Sequence, residues 1–194
     1  MQSKFDRACE LIDAANREDP TTVVVAGSTY PREYLYSKWL VEWVQALRPD
    51  ASESLLLAAR CQHIRRWRIP RDAYPMNRAG YLKWRADLKK FHADEAGQLL
   101  EQAGYDSPTL ERVRTLNLKK DLKTDPECQT LEDALCLVFL EYQFADFLEK
   151  NNDEAKMLNI LQKSWNKMSP AGHAAASRIQ FTPRQQALLA KLNS

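Results

Sequence analysis

The sequence predicts an all-α, single-domain helical bundle of about eight helices. Apolar residues recur at helical spacing along most of the 194-residue chain, and five glycines are too few for a turn-rich β protein. The one strongly β-branched run, residues 22–26, has no obvious partner strand, so we expect an extended loop that contains Gly27. With 44% hydrophobic residues, a chain of this length can bury a core.

Start and stop signals place the helices. The second is expected to begin at Pro31, where the missing N–H costs nothing, and to end before Pro49. The sixth is expected to begin at Thr130, because Thr130 and Asp133 have the spacing of a capping box, and its uniformly apolar continuation predicts the centre of the core. The other predicted helices cover residues 4–17, 55–67, 78–103, 107–122, 153–168 and 184–192, and the sixth extends to Phe147.

Composition excludes several classes of protein. The longest apolar run, residues 134–140, is too short to span a membrane, and eight charged residues among the first 20 leave no secretory signal. The four cysteines have neither C-x-x-C spacing nor a zinc-module pattern, so we expect buried thiols in a reducing, cytoplasmic environment. Phosphate-binding glycine loops and a nucleophile elbow are also lacking in the sequence.

Charge is distributed unevenly along the chain. Residues 60–92 contain seven arginines and three lysines against two aspartates, a net charge of +8, whereas residues 125–155 carry a net charge of −8. One interpretation is that the two segments pack together and neutralise each other. The other is that the arginines converge on a phosphate group. The sequence leaves both interpretations open.

An anion site is favoured by the arginines around the proline-bounded loop at residues 70–77. Arg78, Arg85 and His92 are seven residues apart and therefore share one face of the long fourth helix. Tyr81 or Trp84 could stack on a nucleotide base. The candidate phosphate and ligand residues are Arg60, Arg66, Arg71, Arg78, Tyr81, Trp84 and Arg85. The same aromatic and arginine residues could equally be structural.

A divalent metal site is a further hypothesis. Two imidazoles and a carboxylate can hold Mn, Mg, Fe or Zn, and His63, His92 and Asp133 are the candidate ligands. Glu132 or Glu141 would then orient a water molecule as catalytic groups. Asp133 also has a simple alternative role as a helix-capping residue.

Two long motifs carry a family resemblance. These are the segments around residues 59–93, with Cys61-Gln62-His63 near its start, and residues 129–141. They resemble a family catalogued as a domain of unknown function, some of whose eukaryotic members are labelled as related to glutamyl-tRNA synthetase. The resemblance covers about residues 3 to 170.

The sequence is also similar, more weakly, to the HD superfamily of helical metal-dependent phosphohydrolases. This resemblance implies an HD-like domain over residues 1–170 and a C-terminal helical extension over 171–194. It implies metal ligands at His63 and Asp133, with His92 as an additional histidine, while Tyr36 and Gln62 replace two usual ligands.

The leading hypothesis is therefore a protein that binds a phosphorylated small molecule or nucleotide, extending to metal-dependent phosphoester hydrolysis. The alternative is a non-catalytic adaptor that recognises RNA or an acidic partner through its arginine-rich face, and no membrane association is expected. Oligomeric state is not determined by the sequence.

Overall fold

The computed structural model describes residues 2–151 and 153–192, which form an all-α fold with one β-hairpin. The all-α prediction is confirmed. The ten described α-helices are α1 (Lys4–Arg17), α2 (Arg32–Leu47), α3 (Glu53–Cys61), α4 (Arg78–Ala103), α5 (Ser107–Leu118), α6 (Pro126–Val138), α7 (Phe144–Glu149), α8 (Glu154–Trp165), α9 (Pro170–Ala176) and α10 (Pro183–Ala190). Two 3₁₀ turns, Arg66–Arg68 and Arg71–Ala73, connect α3 to α4, and a π-helical turn, Phe139–Gln143, joins α6 to α7.

Local capping explains where the long helix α4 begins and ends. The Asn77 side chain accepts a hydrogen bond from the Gly80 amide at 2.8 Å, which satisfies one of the free N–H groups of the first turn. Gly104 adopts a left-handed conformation with φ +93° and ends the helix. The predicted bounds of this helix and of α1 are confirmed.

Several other helix boundaries differ from the prediction: α5 ends at Leu118 rather than at residue 122, and the predicted sixth helix is interrupted by the π-helical turn. Helix α3 ends at Cys61 rather than at Trp67, and the chain turns through Arg65, whose φ is +49°. Helix α6 begins at Pro126, because Asp125 accepts hydrogen bonds from the amides of Glu127 and Cys128. The capping box predicted at Thr130 is therefore wrong: its hydroxyl donates to the Pro126 carbonyl inside the helix.

The predicted extended loop at residues 22–26 is instead a strand of a two-stranded hairpin. Strand β1 (Thr22–Val25) pairs antiparallel with β2 (Ser28–Pro31), with Val25 opposite Ser28. The two turn residues, Ala26 and Gly27, have φ values of +50° and +79°. Positive φ at both positions matches the twist of a tight hairpin. The partner strand that the prediction missed is β2, which follows directly after this turn.

The helices enclose two hydrophobic cores. The first lies among α1 to α6, and the second among the end of α6, the π-helical turn and α7 to α10. Helix α6 contributes to both, with Leu131 and Ala134 in the first and Leu137 in the second, which confirms its predicted central position. The predicted extension at 171–194 starts inside α9 and contributes Ala175 and Leu188 to the second core; its residues 193 and 194 lie outside the described residues.

The cysteines are free thiols, three buried and Cys9 half-buried. In the described ranges no helix combines the length and apolar character needed to cross a membrane.

Candidate functional site

A cavity of about 260 Å³ lies where the two cores meet. Its walls come from α2, the turn after α3, α4, the end of α5, α6, the π-helical turn and the end of α8. The charged residues that line it are Arg66, Arg85, Lys89, Lys119, Lys167 and Glu132. We call it the cationic cavity, because five cations face a single carboxylate.

The turn after α3 brings Arg66 to this cavity. Arg65 donates to Glu95 Oε2 at 2.8 Å and fixes the turn against α4. The Arg66 guanidinium then lies over the Trp84 ring, 4.9 Å from its centroid. The Trp84 indole N–H donates to the Ile69 carbonyl at 2.9 Å and holds the next part of the loop. The proline-bounded loop is thus anchored on α4, and Arg66 lies in the turn just before it, at the cavity.

His63 and His92 lie side by side in the cavity wall. The hypothesis of a shared site requires this proximity. Their ring centroids are 5.9 Å apart, and the His63 ring stacks on Tyr36 at 4.3 Å. His92 Nδ1 lies 2.8 Å from the Ile64 carbonyl, which can only accept, so Nδ1 carries the proton. His92 lines the cavity, and its Nε2, an acceptor, is buried and has no hydrogen-bond partner among the described residues.

Both imidazoles are neutral near pH 7. Burial lowers the pKa of His92 to about 3, and the neighbouring His63 acts in the same direction. Burial, with Arg66 and Arg85 nearby, holds the pKa of His63 well below its usual range. The positive charge of the cavity therefore belongs to its arginines and lysines.

Three of these five cations have no carboxylate partner among the described residues. Arg66 and Arg85 form no ion pair within the part of the chain that the structure describes, and Lys89 donates only to the Leu118 carbonyl at 3.3 Å. Burial lowers the pKa of Arg66, while the nearby Glu33 carboxylate acts in the opposite direction without forming an ion pair with it. Lys119 and Lys167 instead form ion pairs with Glu132, the latter at 3.3 Å. Burial alone would raise the pKa of Glu132, but these two lysines lower it.

Asp133, the third predicted metal ligand, does not face the cavity. Its Oδ1 accepts hydrogen bonds from Gln129 Nε2 at 2.9 Å and from the Ser169 amide at 2.8 Å, and its Oδ2 accepts from the Ser169 hydroxyl at 2.5 Å. The carboxylate joins α6 to the start of α9. The alternative role of Asp133 as the capping partner of Thr130 is therefore wrong, because its carboxylate is bound by Gln129 and Ser169.

The cavity residues do not fit a divalent metal ion. Glu132, the one carboxylate in the cavity, is already held by two lysines, and the surrounding cations would repel a metal. Across residues 2–151 and 153–192, no group of three or more His, Cys, Asp or Glu side chains is placed to hold one. Glu141, the other predicted catalytic group, is exposed and accepts from the Trp43 indole at 2.7 Å, away from His63 and His92.

Only two of the seven predicted phosphate and ligand residues, Arg66 and Arg85, line the cationic cavity. Arg60 forms a bidentate ion pair with Asp13, both contacts at 2.8 Å, and is structural. Arg71 donates to the carbonyls of Tyr74 and Pro75 and holds the loop closed. The other three, Arg78, Tyr81 and Trp84, do not line this cavity.

The two oppositely charged segments do not neutralise each other. The paired arginines of the basic segment bind Asp13, Glu18 and Glu95. The acidic segment pairs with Arg112, Lys119, Lys167 and Lys191. Among the described residues, no ion pair joins one segment to the other, so this interpretation is wrong.

Sequence reasoning missed Lys119 and Lys167. Lys119 ends α5 with a φ of +53°, and Lys167 follows α8, so neither belongs to a charged run that points to a site. The π-helical turn is a further missed feature, and its residues Phe139 and Gln143 line the cavity. Such turns occur frequently at functional sites.

Fold and cavity together define an all-α protein with a positively charged cleft between two helical cores. The model of the family described as domain of unknown function DUF4202 matches residues 6–189, and the chain belongs to this family. The searches of curated proteins and of solved structures find no match.

Proposed function

We propose that the cationic cavity binds the phosphate group of a phosphorylated small molecule without a metal ion. The observation that carries the proposal is the pair of guanidinium groups, Arg66 and Arg85, that line the cavity with no carboxylate partner among the described residues. Guanidinium groups form strong, charge-assisted hydrogen bonds to phosphate oxygens. A bound phosphate would supply the negative charge that the cavity lacks.

The remaining groups fit an anion of this kind. Lys89 is available beside Arg85, and Glu132 holds Lys119 and Lys167 at the cavity wall. The unpaired His92 Nε2 can accept a hydrogen bond from a protonated phosphate oxygen or from a water molecule. A neutral imidazole can accept this hydrogen bond, whereas an imidazolium ion, which is protonated on both nitrogens, cannot.

The HD-like resemblance supports the location of the proposed site. The four positions that it singles out on α2, α4 and the turn after α3 all line the cationic cavity: Tyr36, Gln62, His63 and His92. We propose that the place of a metal centre is taken here by a phosphate-binding site. Recognition of RNA or an acidic partner stays a prediction, and so does phosphoester hydrolysis, although the cavity residues do not favour the metal-dependent form.

Calorimetric titration with inorganic phosphate in EDTA-containing buffer tests the proposal. We expect saturable binding that EDTA does not change, and an Arg85→Gln variant that binds at least about ten-fold more weakly, since a charged hydrogen bond contributes about 1.5–3 kcal/mol. Arg85 is exposed and has no structural partner among the described residues, so the variant should fold normally.

Arg78→Gln is the matched control, because Arg78 lies on the same helix, outside the cavity. It should bind phosphate like the unmodified protein. Equal losses in both variants, or no binding of phosphate by the unmodified protein at millimolar concentration, would overturn the proposal.

A further inference from the structure

A second, larger cavity of about 720 Å³ adjoins the cationic cavity. The two share five lining residues: Tyr36, His63, Arg66, Phe139 and Gln143. The second cavity continues between strand β1, α2, the π-helical turn and α7. Its volume lies in the range of about 300–1,000 Å³ that is typical of small-molecule sites. A ligand whose phosphate occupies the cationic cavity can therefore extend into this space.

One wall of the second cavity is aromatic. Trp39 and Tyr142 both line it and stack on each other, with ring centroids 3.9 Å apart and planes inclined by 1°. Phe139 and Phe147 line the same space. We call it the aromatic cavity. Flat aromatic walls of this kind favour a planar ring in the ligand, through stacking and through burial of apolar surface.

A buried carboxyl group faces the aromatic cavity. The Glu33 side chain is 3% exposed, and its Oε1 forms an ion pair with Arg32 at 3.1 Å. Its Oε2 lies 3.3 Å from His63 Nδ1 but has no hydrogen-bond partner among the described residues. Burial raises the pKa of this carboxyl, while Arg32 and Arg66 favour its charged form. A buried acceptor left without a donor costs about 1–3 kcal/mol, which a donor on a ligand would recover.

We infer that the aromatic cavity binds the nucleoside part of a nucleotide, with its base beside Trp39 and Tyr142 and an N–H or O–H group donating to Glu33 Oε2. The inference rests on the proposed function, because the phosphate of the same nucleotide occupies the cationic cavity. A nucleoside carries both a planar ring and several donors, as this cavity requires. A simple sugar phosphate lacks the planar ring.

The test compares the affinities of four nucleoside monophosphates (AMP, GMP, CMP and UMP) with that of inorganic phosphate. We expect at least one nucleotide to bind ten-fold or more tightly than phosphate. In Tyr142→Leu this preference should fall several-fold, while phosphate affinity stays constant, because Tyr142 lines only the aromatic cavity.

Glu33→Gln separates hydrogen bonding from charge. Removing a negative charge by itself favours anions, so phosphate affinity should stay the same or rise, whereas the affinity for the preferred nucleotide should fall. Glu42→Gln is the matched control, because Glu42 is an exposed carboxylate on the same helix that lines neither cavity, and it should keep the nucleotide preference.

The possible failures are distinguishable. Equal affinity for phosphate and for all four nucleotides would overturn this inference and leave the proposed function standing. Absence of binding to any of these probes would overturn the proposed function itself. A free nucleoside that binds as tightly as its monophosphate would also contradict the phosphate site.

Discussion

At the scale of single residues, the two central histidines show how burial fixes a protonation state. His92 is 3% exposed, its Nδ1 is held by the Ile64 carbonyl, and its other nitrogen is unpaired. Protonation would place a charge beside His63 and Arg66 in a poorly solvated position. The folded protein therefore keeps both imidazoles neutral, which preserves an acceptor in the cationic cavity.

Stability should consequently depend on pH. The pKa of His92 is about 3 in the folded chain and about 6.5 in the unfolded chain, so below pH 6.5 the unfolded state binds a proton that the folded state does not. The contribution to stability is complete above pH 6.5 and is lost as the pH falls towards 3. Between pH 7.5 and 5 the loss should be about 2 kcal/mol for this histidine.

Urea unfolding at the two pH values measures this loss. In His92→Gln the free energy of unfolding should fall by about 2 kcal/mol less between pH 7.5 and pH 5 than in the unmodified protein, whatever the variant costs in stability at pH 7.5. His63 still contributes in that variant, because its pKa is also lowered. An unchanged pH dependence would show that His92 does not titrate in this way.

At the scale of elements, the hairpin depends on two turn residues. Glycine tolerates the positive φ of Gly27, but alanine at position 26 is strained at a φ of +50°. The hairpin also borders the aromatic cavity through residues 22–25. The shape of that cavity therefore depends on a turn in which Gly27 suits the backbone conformation and Ala26 does not.

Replacing Ala26 by asparagine should stabilise the hairpin by about 0.5–1 kcal/mol, because asparagine tolerates the left-handed region better than alanine. Amide hydrogen exchange of the strand residues should slow accordingly. Gly27→Val is the opposite change, since a β-branched residue at a φ of +79° is strongly disfavoured, and its hairpin amides should exchange faster. Equal exchange rates in both variants would contradict the assigned turn.

At the scale of the whole molecule, the basic segment has two physical roles. Arg60 and Arg65 tie α3 and the following turn to carboxylates on α1 and α4. Arg66 and Arg85 remain without such partners among the described residues and line the cationic cavity. The charge excess is thus divided between holding the fold together and forming a site for an anion.

Arginine substitutions should separate these roles. Arg60→Ala leaves Asp13 half-compensated by Lys38 at 2.7 Å and should lower the free energy of unfolding by about 3 kcal/mol. Arg78→Ala should change it by less than about 0.5 kcal/mol, because Arg78 is exposed. Chemical denaturation measures both. Similar losses in the two variants would mean that Arg78 has a structural partner.

Local features of the fold were predictable, and features that depend on long-range contacts were not. The ends of α4 follow from Asn77 and Gly104, which act on their own neighbours. The strand pairing of residues 22–25 was missed, because the partner strand has no strong pattern of its own. The role of Asp133 was open, because its main partner, Ser169, is 36 residues away.

The sequence by itself determined the helical class, the main helices and an excess of cations around residues 60–92. Only the tertiary structure decided which cations keep their charge uncompensated. Arg60 finds its carboxylate 47 residues away, whereas Arg66 and Arg85 find none among the described residues, and Lys119 and Lys167 join them from other elements. The physical reason is that ion pairing depends on distance in space, and helix periodicity determines only which residues share a face.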